Sequence, residues 1–164
     1  MHTIILYEQL IKWENSLLNY EQKSVVITFS TQLEELECQY LDSSNLLMVL
    51  SFFDPEIIPP HMITEGAEGS VENLRINITS GAVDESATMA ELESLISMIR
   101  SPVQFQQAIQ QLHRILLVGY KSTKIASALR IHDLIQVVTQ ERTRRRDRQH
   151  FWFQVAMALL SHAF

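Results

Sequence analysis

The side chains able to do chemistry in this 164-residue chain are few and scattered. Six histidines, His2, His61, His113, His132, His150 and His162, show neither the HExxH pattern nor the paired spacing that holds a metal. No serine lies in a GxSxG elbow, and no GxxxxGK[ST] loop is present to cradle a phosphate chain. The sequence therefore predicts no enzyme, no metal site and no cofactor bound by this chain alone. A single cysteine, Cys38, cannot form an intramolecular disulfide and reads as a buried apolar residue rather than a nucleophile. Two features remain: a histidine and an aspartate in LRIHDLI, residues 129–135, and the basic run Arg142, Arg144, Arg145, Arg146 and Arg148.

His132 and Asp133 interrupt an apolar stretch where a helical pattern begins. Asp133 and Gln136 are spaced as an N-cap and its N3 partner, so Asp133 is expected to start a helix and fix where His132 points. His132 then either packs at the junction and bonds a backbone group, or reaches a partner outside the chain. The arginine run has three readings. It suits a helix C-terminus, whose dipole favours cations; it can pair with carboxylates elsewhere in the chain; or it contacts nucleic-acid phosphates with strong salt dependence.

Charge is divided along the chain. Residues 1–100 hold 4 Lys and Arg against 16 Asp and Glu, and residues 101–164 hold 9 against 3. The halves, at −12 and +6, either face each other or face different partners. Composition, 46% hydrophobic and 20% charged with four glycines and four prolines, is that of one helix-rich globular domain. No apolar run approaches the ~20 residues of a membrane span. The first residues lack the basic region and cleavage site of a secretory signal. A cytoplasmic location is expected.

The elements that must position these residues follow from periodicity. Leu6, Leu10, Trp13 and Leu17 mark an opening helix, followed by a connector, NYEQKSVVI. Phe29, Leu33, Leu36 and Tyr40 mark a second, with Thr31 and Glu34 as a capping box and a solvated acidic face at Glu34, Glu35 and Glu37. Asp42 and Ser43 are expected to cap SNLLMVLSFF, apolar enough to be the central core helix. Asp54-Pro55 stops it, and Pro60 begins a short helix. Residues 64–87 read as an irregular excursion. Thr88 and Glu91 then cap a helix with Met89, Leu92, Ile96 and Ile99 on its stripe, ending near Arg100.

Ser101, Pro102 and Gln104 start the next helix, whose buried face is Phe105, Ala108, Ile109, Leu112, Ile115 and Leu116. A two-stranded hairpin is expected around turn residues Gly119 to Thr123. A helix with Ile131, Leu134, Ile135 and Val138 follows and ends in TRRRDR. The final segment puts Phe151, Val155, Leu159 and His162 on one face, for which the sequence offers no obvious partner within the chain. The fold class is thus mainly α, a winged-helix-like helical domain with a small two-stranded hairpin. Its candidate recognition helix, FQQAIQQLHRILLV, offers only His113 and Arg114 as cations.

LLMVLSFFDPEIIPPHMI, then SPVQFQQAIQQLHRILLV, then RIHDLIQVVTQER resemble the winged-helix region of fungal NOD-like receptors, signal-transducing NTPases. In that family it stands between an NB-ARC or NACHT nucleotide-binding module and tetratricopeptide or other repeats. The resemblance implies that residues 1–27 end the helical lid of the nucleotide-binding module. Residues 28–143 would form the winged-helix domain, and residues 144–164 the helix leading into the repeats. Ile131-His132-Asp133 is similar to the family's Met-His-Asp motif, whose histidine contacts the terminal phosphate of ADP. The resemblance implies nucleotide sensing by His132, ADP or ATP in the complete receptor, and partners in the same receptor, with homo-oligomerisation on activation. A winged-helix DNA-binding protein using residues 142–148 is the alternative.

Overall fold

The computed structural model describes residues 20–69, 85–122 and 127–163. Among them the chain is mainly helical, with seven helices and one antiparallel hairpin. In order these are α1 (Tyr20–Gln39), α2 (Leu41–Leu50), α3 (Pro60–Gly69), α4 (Glu85–Arg100), α5 (Pro102–Arg114), β1 (Val118–Ser122), β2 (Ser127–Ile131), α6 (Asp133–Arg145) and α7 (Gln149–His162). The opening stripe at Leu6 to Leu17 lies outside the described residues. None of the described helices is long and apolar enough to cross a membrane.

The expected core helix is α2. Every residue from Ser43 to Leu50 is buried, and α1, α4, α5, α6 and α7 all pack around it. Its neighbours contribute Leu33 and Leu36 from α1, Leu95 and Ile99 from α4, Ile109 and Leu112 from α5, Ile135 from α6 and Val155 from α7 to one continuous apolar core. Burying such side chains contributes about 1.5–3 kcal/mol each before the entropy of ordering them is counted.

Several helix starts differ from expectation. The connector NYEQKSVVI is helical from Tyr20, because nothing in it breaks the backbone pattern. Thr31 is therefore interior to α1, its hydroxyl donating to the Ile27 carbonyl at 3.1 Å. Likewise α2 begins at Leu41 behind Tyr40 with no side-chain cap. Asp42 instead accepts from Ser94 at 3.1 Å, and the Ser43 hydroxyl donates to Gln111 of α5. Thr88 is interior to α4, and residues 64–69 of the expected excursion are helical in α3. The one expected cap that forms is Ser101, which accepts from the Gln104 N–H.

The hairpin pairs Val118 with Ile131 and Ser122 with Ser127, so Gly119 stands inside β1 rather than in the turn. Residues 123–126 of the connection lie outside the described residues. A third stretch of backbone, unanticipated from the sequence, flanks β2. Ile58 N–H donates to the Leu129 carbonyl at 2.9 Å, Leu129 N–H returns to Ile58 at 2.8 Å, and Ile131 N–H donates to Pro55 at 2.8 Å. Asp54 turns the chain for this pairing by accepting from the Glu56 N–H at 2.9 Å. The hairpin thereby packs on the α2–α3 connection as the wing of a winged-helix-like domain.

Two helices end in a Schellman turn without glycine. Leu117 and Leu116 N–H groups donate to Leu112 and His113 carbonyls, and Arg148 and Asp147 repeat the pattern on Thr143 and Arg144. Leu116 and Asp147 consequently take φ of 61° and 55°. Leu116 leaves the buried face on which its spacing placed it and is 78% exposed.

The face of α7 that lacked a partner has one. α7 lies across α3 and α2, burying Trp152, Val155, Ala156 and Leu159. A Cβ on Gly66 would fall 2.1 Å from the Leu159 carbonyl oxygen, so the crossing needs glycine there. Gly66→Ala should therefore destabilise the domain by roughly 1–3 kcal/mol, although alanine is the better helix former. The midpoint of urea denaturation checks this. Leu116→Gly should act in the opposite sense, adding about 1 kcal/mol by relieving the left-handed leucine.

Candidate functional site

β2 delivers Ile131 to the core, where its side chain is fully buried and its backbone is held on both sides by Val118 and Pro55. The next residue, His132, is extended at φ −69° and ψ 136°, and α6 starts immediately after it. The cap of α6 is therefore His132 itself, not Asp133. Its Nδ1 accepts the Leu134 N–H at 3.2 Å, and its carbonyl accepts from Gln136 N–H at 3.1 Å. Asp133 occupies the first helical turn, where its charge suits the dipole. A histidine is an uncommon N-cap, and the Asp133–Gln136 spacing concealed it.

Gln136 was expected to reach back to the helix start and instead reaches across to α2. Its Nε2 donates to the Ser51 and Phe53 carbonyls at 2.8 and 2.9 Å, satisfying groups just beyond the α2 C-terminus. With Ile135 and Val138 buried beneath it, α6 is fixed against α2. His132 itself is exposed. Because Nδ1 accepts, a neutral ring carries its proton on Nε2, leaving one N–H donor beyond that backbone bond.

The other end of α6 carries the arginine run, and each of its five members holds a carboxylate. Arg142 donates from Nε and Nη2 to the two oxygens of Glu37 at 3.2 and 2.7 Å. Arg146 donates from Nη1 and Nη2 to the same two oxygens at 2.7 and 2.9 Å. Arg142 also lies 3.6 Å from Glu34. Arg144 and Arg145 bond Glu141 one turn earlier in α6, at 2.7 and 2.9 Å. Arg148 Nη2 stands 2.6 Å from Glu91 of α4, but out of line for a hydrogen bond.

The acidic face of α1 is therefore not simply solvated: Glu37 and Glu34 bind α6. Cys38, between them and Gln39, faces solvent and is not the buried residue expected. The Glu141 pairs were legible as i,i+3 and i,i+4 spacings. Glu37 and Glu91 were signalled only by the opposite charges of the two halves. His113 meets the hairpin through a 3.0 Å contact from Nδ1 to the Val118 carbonyl and an edge-on contact with Tyr120. Among the described residues no group of His, Cys, Asp or Glu could hold a metal ion.

A family model described as Domain of unknown function (DUF7779) matches residues 32–148. The chain belongs to that family. The match runs from within α1 to Arg148, so the DUF7779 domain includes Glu37, the hairpin, His132 and the whole arginine run. No curated protein and no solved structure matches the chain.

Burial of Glu37 favours its protonated form, but the hydrogen bonds and charges of Arg142 and Arg146 prevail and hold its carboxyl below the ordinary 4.5. A carboxylate lowered in the folded state contributes stability above its unfolded pKa, which is lost as pH falls through the folded value. Glu37→Gln should thus cost about 1.5–3 kcal/mol near neutrality. Denaturant midpoints of the two proteins should converge as pH drops below 4.5.

Proposed function

We propose that this DUF7779 domain is a non-enzymatic regulatory module of a fungal NOD-like receptor. On this reading it packs on a nucleotide-binding module, helps hold the inactive ADP-bound state, and relays exchange for ATP to helical repeats and to oligomerisation. The receptor would act in the cytoplasm. ADP and ATP belong to the complete receptor and are not held by this domain alone. The single observation that supports the reading most is His132. It is an exposed imidazole that follows a residue held by Val118 and Pro55, its own carbonyl accepts from Gln136, and its Nδ1 bond to Leu134 makes Nε2–H its available donor.

A phosphate oxygen of ADP is a suitable acceptor for that N–H. One such hydrogen bond to a charged group contributes roughly 1.5–3 kcal/mol. If it forms only in the closed state, it changes the closed-to-open ratio by about 10- to 150-fold. Buried contacts of α6 with α2 would make the response a rigid-body movement of the domain rather than a local one. The nucleic-acid reading is not favoured, since the arginines it would use line a cleft or pair with carboxylates of the same domain instead of forming an open, uncompensated basic surface.

In the complete receptor, His132→Ala should accelerate ADP release by about 10- to 150-fold. His132→Asn, which retains a capping side chain, should also release ADP faster while leaving the unfolding midpoint nearly unchanged. Release rates equal to wild type in both variants would reject nucleotide sensing. The reading frame upstream is expected to encode a phosphate-binding loop, and the frame downstream helical repeats.

A further inference from the structure

A cleft of about 220 Å³ opens where the C-terminus of α1, the first turns of α2, the middle of α4 and the α6–α7 turn meet. Arg142, Arg146, Arg148, Glu37 and Glu91 line it, with Leu41, Met48 and Trp152 as its apolar part. Three guanidinium groups and two carboxylates line it, and a third carboxylate, Glu34, stands 3.6 Å from Arg142 behind the lining. The charges are unevenly used. Glu37 serves two guanidinium groups at once, each in a two-pronged arrangement, although one suffices to compensate it.

Arg146 is the spare. It is 51% exposed, whereas Arg142 is 14% exposed and already completes the pair with Glu37. Arg146 can therefore turn toward the cleft and leave the Arg142–Glu37 contact in place.

Two further groups in the same cleft have an N–H that makes no hydrogen bond, although Arg148 is ion-paired with Glu91. Arg148 Nη2 is buried and has no acceptor in line, despite its closeness to Glu91. Asn45 lines the cleft at 4% exposure, and its carboxamide makes no hydrogen bond to any described residue. Its carboxamide is thus open to the cleft and uncommitted to the protein.

We propose that this cleft binds a small phosphate-type oxyanion. The donors are Arg146 and Arg148, both in the turn between α6 and α7, and Asn45 of α2. Donors reaching in from two sides of a cleft suit a tetrahedral anion better than a planar carboxylate, which one two-pronged arginine satisfies. Leu41, Met48 and Trp152 would contact the organic part of a phosphate monoester, if one is the natural ligand. The site is distinct from His132, which stands at the opposite end of α6, and it does not depend on the receptor reading.

The test is a 1H–15N NMR titration of the intact chain with sodium phosphate, and separately with glycerol 3-phosphate, at ionic strength held constant with chloride. Saturable shifts of the Asn45 side-chain amide and the Arg146 and Arg148 Nε–H signals support the site. Tighter binding of glycerol 3-phosphate assigns it to a monoester; equal or weaker binding assigns it to the free ion. Arg146→Gln, at a half-exposed position, should keep the native spectrum and weaken binding about tenfold or more. Asn45→Leu should do the same. Shifts that never saturate with either anion, or an affinity unchanged by Arg146→Gln, would overturn the proposal.

Discussion

A helix with eight successive buried residues has no face left for solvent, and α2 is such a helix. Its burial dictates most of the remaining architecture, since five other helices are needed to enclose it and each must bring an apolar stripe of the right spacing. It also creates a difficulty. The carbonyl groups beyond its C-terminus need donors that water does not readily supply in a packed interior, and Gln136 and Gln140 of α6 provide them. α6 is therefore bound to α2 by polar bonds at its start and by Ile135 and Val138 beyond it. The two helices run antiparallel, with His132 beside one end of α2 and the arginines beside the other.

This arrangement separates two kinds of chemistry by the length of one helix. Thirteen residues at 1.5 Å each put about 20 Å between the histidine corner and the arginine cleft. Each end is held differently. At the histidine, neutral backbone hydrogen bonds fix the chain and leave one ring donor over. At the arginines, charges of opposite sign meet at partly covered positions, where screening is weaker than on an open surface. The segregation of charge along the sequence has its physical expression here, because carboxylates of α1 and α4 come to face cations of α6 and its turn into α7.

Periodicity made the apolar faces legible: Leu33 and Leu36, Leu92, Ile96 and Ile99, Phe105 to Leu112, and Ile135 with Val138 all lie in the core. Helix ends were much less so. Thr31-Glu34, Thr88-Glu91 and Asp133-Gln136 each satisfy the capping pattern, yet none caps, because the same residue types are tolerated inside a helix when their side chains bond elsewhere. The turns at Leu116 and Asp147 contain no glycine to announce a left-handed residue. Close approaches were illegible for another reason. Gly66 is one of several glycines in a stretch that reads as loop, and only the position of Leu159, nearly a hundred residues later, gives it meaning. Of the candidate sites, the sequence pointed to His132 and the arginines but could not reveal Asn45, whose significance comes entirely from what surrounds it.

The attachment of α1 has a mechanical corollary. Its contacts with the rest of the domain lie in series along the helix, Val26 first, then Leu33 and Leu36, and last the double arginine grip on Glu37. A force drawing Tyr20 away from α6 would load these one after another, as a strip is peeled, and never all together, as in shear. Apolar contacts would yield early and at low load, leaving the ion pairs as the final catch. Such a helix can lift over most of its length and still return to register, because the end that specifies its position is the last to let go.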